Sequence, residues 1–110
     1  MHQKNYKRRI EKRQLRKCPL CRTYNPLMTA YADLLEKDDT IVSFQCNVPI
    51  SGNYTTDFVC KTQEGATKIR ECVLRNALKH PNTTKLLDIS RNYWLSHHVE
   101  DWGIVIDAEK

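Results

Sequence analysis

The sequence predicts an α/β domain in which a central mixed sheet of about four strands is flanked by helices. Three observations predict it. A helix-like segment comes first, three strand-like segments follow one another closely, and a second helix-like segment leads to a short apolar run. A chain of 110 residues suits one modest core. No apolar run approaches the roughly 20 residues that a membrane span requires, so we expect no membrane partner.

The first predicted helix occupies the stretch NPLMTAYADLLEKDD, residues 25–39. Asn25 is a suitable N-cap, and Pro26 suits the first turn because its missing N–H would have no helical partner there. The apolar residues recur at helical spacing: Leu27, Tyr31, Leu34 and Leu35. This pattern predicts a helix that packs one face against the core.

The next three segments have strand composition. They are TIVSFQCNVPI, YTTDFVCKT and ATKIRECVL, joined by the turns SGN and QEG. A second helix is predicted in HPNTTKLLDISRNYWLSHH, with a core-facing stripe that includes Leu86, Ile89 and Trp94. The closing run Ile104-Val105-Ile106 predicts a strand that is buried on both faces and parallel to the third strand.

Positive charge is concentrated at the N-terminus. Residues 1–22 contain nine Lys or Arg and one acid, a net charge of +8, and the whole chain carries +5, which leaves −3 for residues 23–110. We therefore divide the chain into a basic arm, residues 1–22, and a body, residues 23–110. The stretch KNYKRRIEKRQLRK is predicted as a frayed helix that becomes ordered on a partner.

A basic arm attracts polyanions because counterions are released when phosphates are neutralised. The arm residues assigned to DNA binding are Lys7, Arg8, Arg9, Lys12, Arg13, Arg16 and Lys17. A solvated tail without a partner is the alternative interpretation. The N-terminus lacks the apolar core of a signal peptide, which predicts a cytoplasmic protein.

Cys18 and Cys21 form a CPLC sequence, a spacing typical of zinc knuckles, since thiolates are suitable ligands for tetrahedral Zn²⁺. A complete site needs further ligands, which His2 or a second subunit could supply. The other cysteines, Cys46, Cys60 and Cys72, fall within predicted strands, where buried thiols usually act as small hydrophobes. Five cysteines without a regular pairing pattern indicate a reducing compartment.

Several stretches, taken in order, resemble a known family. LLEKDDTIVSFQCNVPI, YTTDFVC and KLLDISRNYWLSHHVEDWGIVI are similar to successive stretches of TnsA-type endonuclease subunits of heteromeric transposases, which have the PD-(D/E)xK or restriction-endonuclease-like fold. The resemblance covers about residues 26–107. It implies a role in DNA transposition, in which the protein cuts DNA at transposon ends alongside a DDE-type transposase.

The resemblance also implies a metal site. Asp57 in YTTDFVC and Glu71 in RECVLR would hold Mg²⁺, which prefers hard oxygen ligands and lowers the pKa of an attacking water. The two acids would act as catalytic and metal-binding residues on neighbouring strands. Glu71, Val73 and Arg75 would share one face of the third strand by its period of two, so Arg75 is assigned to phosphate binding.

The sequence departs from the family pattern at two places. Val73 stands where the family has a Lys two residues after the second acid, and Met28 stands where it has an acid on the first helix. Two hypotheses follow. The protein is a divergent endonuclease with Mg²⁺ at Asp57 and Glu71, or it is a non-catalytic nucleic-acid-binding or transposase-regulating protein of the same fold, with zinc at Cys18 and Cys21.

Overall fold

A computed structural model describes residues 11–50 and 54–107. In chain order, the elements are β1 (Glu11–Arg13), β2 (Cys21–Thr23), α1 (Pro26–Lys37), β3 (Ile41–Pro49), β4 (Thr55–Thr62), β5 (Thr67–Val73), a 3₁₀ turn (Arg75–Ala77), α2 (Pro81–Ser96) and β6 (Asp101–Ile106). The predicted α/β class is confirmed, since two helices accompany a mixed sheet.

The main sheet has the strand order β3-β4-β5-β6. The first three strands form an antiparallel meander, and β6 returns parallel to β5 after the α2 crossover. The predicted parallel pairing of the last strand is therefore confirmed. The β4–β5 turn contains Gly65 with a φ of +87°, a left-handed conformation that glycine adopts without steric cost.

Helix α1 begins as predicted. The Asn25 side chain accepts a hydrogen bond from the Met28 backbone N–H at 2.9 Å, and Pro26 occupies the first turn. The buried residues of α1 are Met28, Ala32 and Leu35. Leu34, predicted to face the core, is 62% exposed. The spacing of four and then three residues places the buried face on the other side of the helix from Leu34.

The core on the α1 face of the sheet is centred on Phe58, which is fully buried. The Phe58 ring lies 5.3 Å from that of Tyr31 and 6.0 Å from that of Phe44, measured between centroids. Cys72 belongs to the same buried cluster. Side chains alternate along a strand, so Ile69, Glu71 and Val73 of β5 point to the opposite face, where α2 lies.

The α2 side of the molecule differs from the prediction in two details. Leu86 is buried, but Ile89 is 42% exposed, so the core-facing stripe instead runs through Leu86, Leu87 and Ser90. The prediction that β6 is buried on both faces is wrong. Ile104 and Ile106 are each 39% exposed, because β6 is an edge strand.

Residues 11–23 form a small antiparallel hairpin instead of the predicted helix. Arg13 pairs with Cys21 in this hairpin, which also includes the predicted boundary between arm and body. The rest of the predicted helix, residues 4–10, lies outside the described residues. The Lys17 ammonium donates to the Leu35 and Asp38 carbonyls at the C-terminus of α1, and the Phe44 N–H donates to the Lys17 carbonyl at 2.9 Å. These contacts favour a docked hairpin over an isolated helix.

Neither helix of residues 11–50 and 54–107 combines the length and the apolar character that crossing a membrane would require.

Adjacent leucines of α1 provide a matched test of this core. We expect Leu35→Ala to lower the free energy of unfolding by about 2–5 kcal/mol, because Leu35 is 2% exposed and its removal leaves a cavity. Leu34→Ala should change it by less than about 0.5 kcal/mol, since that side chain remains largely in water. Urea denaturation of both variants measures the difference, and equal losses would contradict the assigned register of α1.

Candidate functional site

The two acids predicted to bind metal lie where β4 and β5 separate. The last paired residues of the two strands are Phe58 and Arg70, and Asp57 and Glu71 come one step further. Beyond this point β4 pairs only with β3, through Thr56 and Thr55, and β5 pairs only with β6. Asp57 and Glu71 therefore lie opposite each other, on the same face of the sheet, at the start of the gap between the strands.

Each acid accepts a hydrogen bond from the backbone of the opposite strand. Glu71 Oε1 accepts from the Asp57 N–H at 3.0 Å, and Asp57 Oδ2 accepts from the Cys72 N–H at 2.8 Å. These bonds replace the backbone ladder at the point where the strands separate. Buried N–H groups need an acceptor, and the two side chains provide it.

The α2 and β6 elements enclose the pair. Ser90 of α2 donates to Glu71 Oε2 at 2.6 Å, and the Trp102 indole N–H of β6 donates to Ser90 Oγ at 3.0 Å. The Trp94 indole N–H also donates to Thr56 Oγ1 at 2.9 Å. This network links β4, β5, α2 and β6 through polar contacts beneath the surface.

Both acids have zero solvent exposure. A hydrolytic Mg²⁺ site must admit waters and a phosphate, so this arrangement would have to open before it could act on DNA. The positions that depart from the family pattern are also buried: Val73 is 4% exposed, and Met28 is 1% exposed in the α1 cluster. In this conformation the side chains of Asp57 and Glu71 join β4 to β5 at the point where backbone pairing between the two strands ends.

Arg75 does not continue the face of β5 as predicted. The strand ends at Val73, and Arg75 begins a 3₁₀ turn. The Arg75 N–H donates to the Asp107 carboxyl group, and its guanidinium donates to the Asp107 carbonyl at 3.1 Å. Arg75 is exposed, and its guanidinium is already bonded to a backbone carbonyl.

A second candidate site contains three thiols. Cys18 precedes β2, Cys21 begins it, and Cys46 lies in β3. Cys46 Sγ is 3.8 Å from Cys18 Sγ and 3.5 Å from Cys21 Sγ, and all three sulfurs lie within 4.8 Å of one another. They form the one group of three or more His, Cys, Asp or Glu with metal-binding spacing within residues 11–50 and 54–107.

Hydrogen bonds connect the three thiols. Cys46 Sγ donates to Cys21 Sγ, Cys18 Sγ shares a bond with Cys46 Sγ, and Cys18 Sγ also donates to the Leu20 carbonyl. Bonds from Cys21 and Cys46 lower the pKa of Cys18 to about 3. The pKa of Cys21 is raised to about 11, chiefly by its bond to Cys18. Bonds to Cys18 and Cys21 also raise the pKa of Cys46. A metal ion bound by the three sulfurs would replace their protons, since the thiolate is the form of Cys that binds metal.

The sequence identified Cys18 and Cys21 but missed Cys46, which was predicted to be an ordinary buried thiol. No local spacing marks Cys46, because strand pairing and hairpin docking bring it to the other two. Cys60 and Cys72 do behave as predicted, since both are buried outside the triad. Burial raises the pKa of Cys60 to about 11. His2, the further ligand considered from the sequence, lies outside the described residues.

The basic residues assigned to DNA binding have different environments. Lys7, Arg8 and Arg9 lie outside the described residues. Lys12 is exposed, and the Arg16 side chain is 83% exposed although it is 3.4 Å from Glu36. Two other basic residues are engaged within the protein. The Arg13 guanidinium donates to the Asp33 carboxylate at 2.7 Å, and the Lys17 ammonium donates to the Asp38 carbonyl at the C-terminus of α1. The described basic side chains that remain accessible to DNA are fewer than the sequence predicts.

No family model matches the chain, and no curated protein matches it significantly.

Ser90 tests whether the buried network supports the fold. We expect Ser90→Ala to lower the free energy of unfolding by about 1–3 kcal/mol, because Glu71 loses a buried donor and Trp102 loses its acceptor. Ser96→Ala, at an exposed position of the same helix, should cost less than about 0.5 kcal/mol. Thermal and urea unfolding compare the two. A Ser90 variant as stable as the wild-type protein would show that the enclosed pair does not stabilise the sheet.

Proposed function

We propose that this protein is a DNA-binding subunit of a transposition complex, similar to TnsA-type subunits, that does not cut DNA on its own. The observation that carries this proposal is the enclosed Asp57–Glu71 pair. Its carboxyl oxygens accept hydrogen bonds from two backbone amides and from Ser90, and Val73 stands where a catalytic Lys is expected. Such a pair supports a retained fold better than a working metal site.

DNA binding is supported by the uneven charge of the chain. The first 22 residues carry a net charge of +8, and the remainder is mildly acidic. Within the described part, Lys12, Arg16 and Arg22 are exposed on or beside the hairpin. Together with Lys7, Arg8 and Arg9, they would neutralise phosphates, which gives affinity without sequence specificity. Arg75 is a weaker candidate, because its guanidinium is already bonded to the Asp107 carbonyl.

A metal-dependent endonuclease is the second candidate. The supporting observation is that Asp57 and Glu71 lie opposite each other on one face, the arrangement that two carboxylate ligands of Mg²⁺ require. For this activity, α2 and β6 would have to move away from the pair, and a partner would have to supply the missing Lys and the first-helix acid. A DDE-type transposase bound at the transposon end is the partner that we propose.

We propose Zn²⁺ as the cofactor of the DNA-binding form, held by Cys18, Cys21 and Cys46. The described cysteines are free thiols. We place the protein in the cytoplasm, a reducing compartment in which thiols stay available to a metal ion. Thiolates select Zn²⁺ over Mg²⁺, and carboxylates have the opposite preference, so the two candidate sites would take different ions.

The cleavage test uses purified full-length protein, transposon-end DNA and the transposase, with Mg²⁺ or Mn²⁺. We expect binding without cleavage by the protein alone. Under the endonuclease alternative, the complete mixture cuts the DNA, Asp57→Asn abolishes cutting while binding persists, and Asp88→Asn, at an exposed position of α2, cuts normally. If the protein alone cuts the DNA and Asp57→Asn abolishes that cutting, the proposal that it does not cut on its own is overturned.

The arm test measures the salt dependence of DNA affinity. Deletion of residues 1–10 removes four Lys or Arg and leaves the described hairpin intact. We expect weaker binding and a slope of log K against log salt that is lower by up to about 3–4, since each phosphate contact contributes about 0.9. Lys12→Glu should also weaken binding, whereas Lys85→Glu, at an exposed position of α2, should change it little. An unchanged slope after the deletion would remove the arm from the DNA interface.

A further inference from the structure

We infer that Zn²⁺ bound by Cys18, Cys21 and Cys46 fastens the N-terminal hairpin to the outer edge of β3 and thereby sets the affinity for DNA. The hairpin consists of residues 11–23 and includes β1 and β2. The fastening follows from the geometry of the thiols. The effect on DNA affinity rests on the proposed DNA-binding function.

The sulfur positions suit a tetrahedral ion. With Zn–S bonds of about 2.3 Å, two sulfurs on a tetrahedral zinc lie about 3.8 Å apart. The distances from Cys46 Sγ are 3.8 Å to Cys18 Sγ and 3.5 Å to Cys21 Sγ. The triad thus needs only small side-chain movements to coordinate an ion. A disulfide would instead require a sulfur–sulfur distance of about 2.05 Å.

The three ligands belong to two separate parts of the chain. Cys18 and Cys21 lie in the hairpin segment, and Cys46 lies in an edge strand of the main sheet. Two hydrogen bonds join this segment to β3: the Phe44 N–H donates to the Lys17 carbonyl, and the Asn47 amide donates to the Arg22 carbonyl at 2.9 Å. Buried side chains of both parts also share one core cluster, which includes Cys18, Cys21 and Phe44. An ion shared by both parts would add a cross-link to these contacts.

Water would have access to a metal ion bound by the triad. A surface pocket of about 440 Å³ borders the triad and is lined in part by Cys18, Cys46 and Asn47. Asn47 Oδ1 is buried there and has no hydrogen-bond partner among the described residues. A metal-bound water would provide donors in a region that contains this unsatisfied acceptor.

Two other cysteines of this protein are buried without taking part in a candidate metal site. Cys60 and Cys72 are buried in the same α1-face cluster, yet neither joins a group of three candidate ligands. They are 1% and 5% exposed, comparable with Cys18 at 3%. Burial alone therefore does not distinguish the triad from the other cysteines. The triad differs because its three sulfurs come together from the hairpin and from β3. Cys60 is buried but lies outside the triad, so it serves as the matched control for substitutions of Cys46.

Metal binding is measured first, by elemental analysis of reduced full-length protein and by Co²⁺ substitution. We expect one Zn²⁺ per chain, and a cobalt spectrum with thiolate charge-transfer bands and tetrahedral d–d bands. Cys46→Ala should lose both signals, and Cys60→Ala should keep them. A wild-type protein with no stoichiometric zinc and no thiolate–cobalt bands would overturn the inference, as would a Cys46→Ala variant that retains full metal affinity.

Fastening is measured by amide hydrogen exchange of the zinc-loaded protein before and after chelation. The Phe44 N–H bonds the Lys17 carbonyl, so its exchange reports whether the hairpin is docked. We expect chelation or Cys46→Ala to accelerate exchange at Phe44 by at least about tenfold, with little change at Val59 in the central strand β4. Equal acceleration at both sites would indicate global unfolding, and no acceleration would indicate that zinc does not hold the hairpin.

DNA affinity is measured on the same samples by fluorescence anisotropy at one fixed salt concentration. We expect the zinc-free protein to bind DNA at least about fivefold more weakly, because the basic residues of an undocked hairpin are no longer held together. Equal affinity with and without zinc would overturn the affinity part of the inference. If no sample binds DNA, the proposed function fails, while the metal and exchange results still decide the fastening.

Discussion

Where β4 and β5 separate, side-chain carboxyl groups replace backbone carbonyls as the acceptors for backbone N–H groups. The Glu71 carboxyl group accepts from the Asp57 N–H, and the Asp57 carboxyl group accepts from the Cys72 N–H. A side chain of each strand thus provides the acceptor for a backbone N–H of the other, where backbone pairing between the strands has ended. The position of α2 depends on this exchange, since Ser90 bonds the remaining Glu71 oxygen. Trp102 then bonds Ser90 and connects β6 to the same network.

This constraint relates the fold to the function. A pair of acids that completes the hydrogen bonding of a sheet cannot leave it for a metal ion unless other groups replace it, because buried amides without acceptors are costly. A change to Asp57 or Glu71 therefore affects folding and any chemistry together. Catalysis at this place would require a structural change that supplies new partners for two backbone N–H groups.

The sequence predicts most of the architecture and only part of each site. Local signals were sufficient for α1, which begins at Asn25 and Pro26, and for the strands, whose composition and turns are distinct. Local signals did not predict the hairpin at residues 11–23. Its strands are only three residues long, and they depend on docking against α1 and β3. Cys46 and Ser90 could not be identified because their partners are distant in sequence and converge only through tertiary contacts.

The bond between the Lys17 carbonyl and the Phe44 N–H has a consequence for the order of events during synthesis. A ribosome releases the N-terminal segment first, and this segment has no sheet edge to dock on until β3 has emerged. Cys18 and Cys21 likewise precede Cys46, so the newly made chain displays a two-thiol segment rich in positive charge before its third thiol is available. The hairpin can therefore dock only after β3 has been synthesised, through a contact that joins residues 17 and 44.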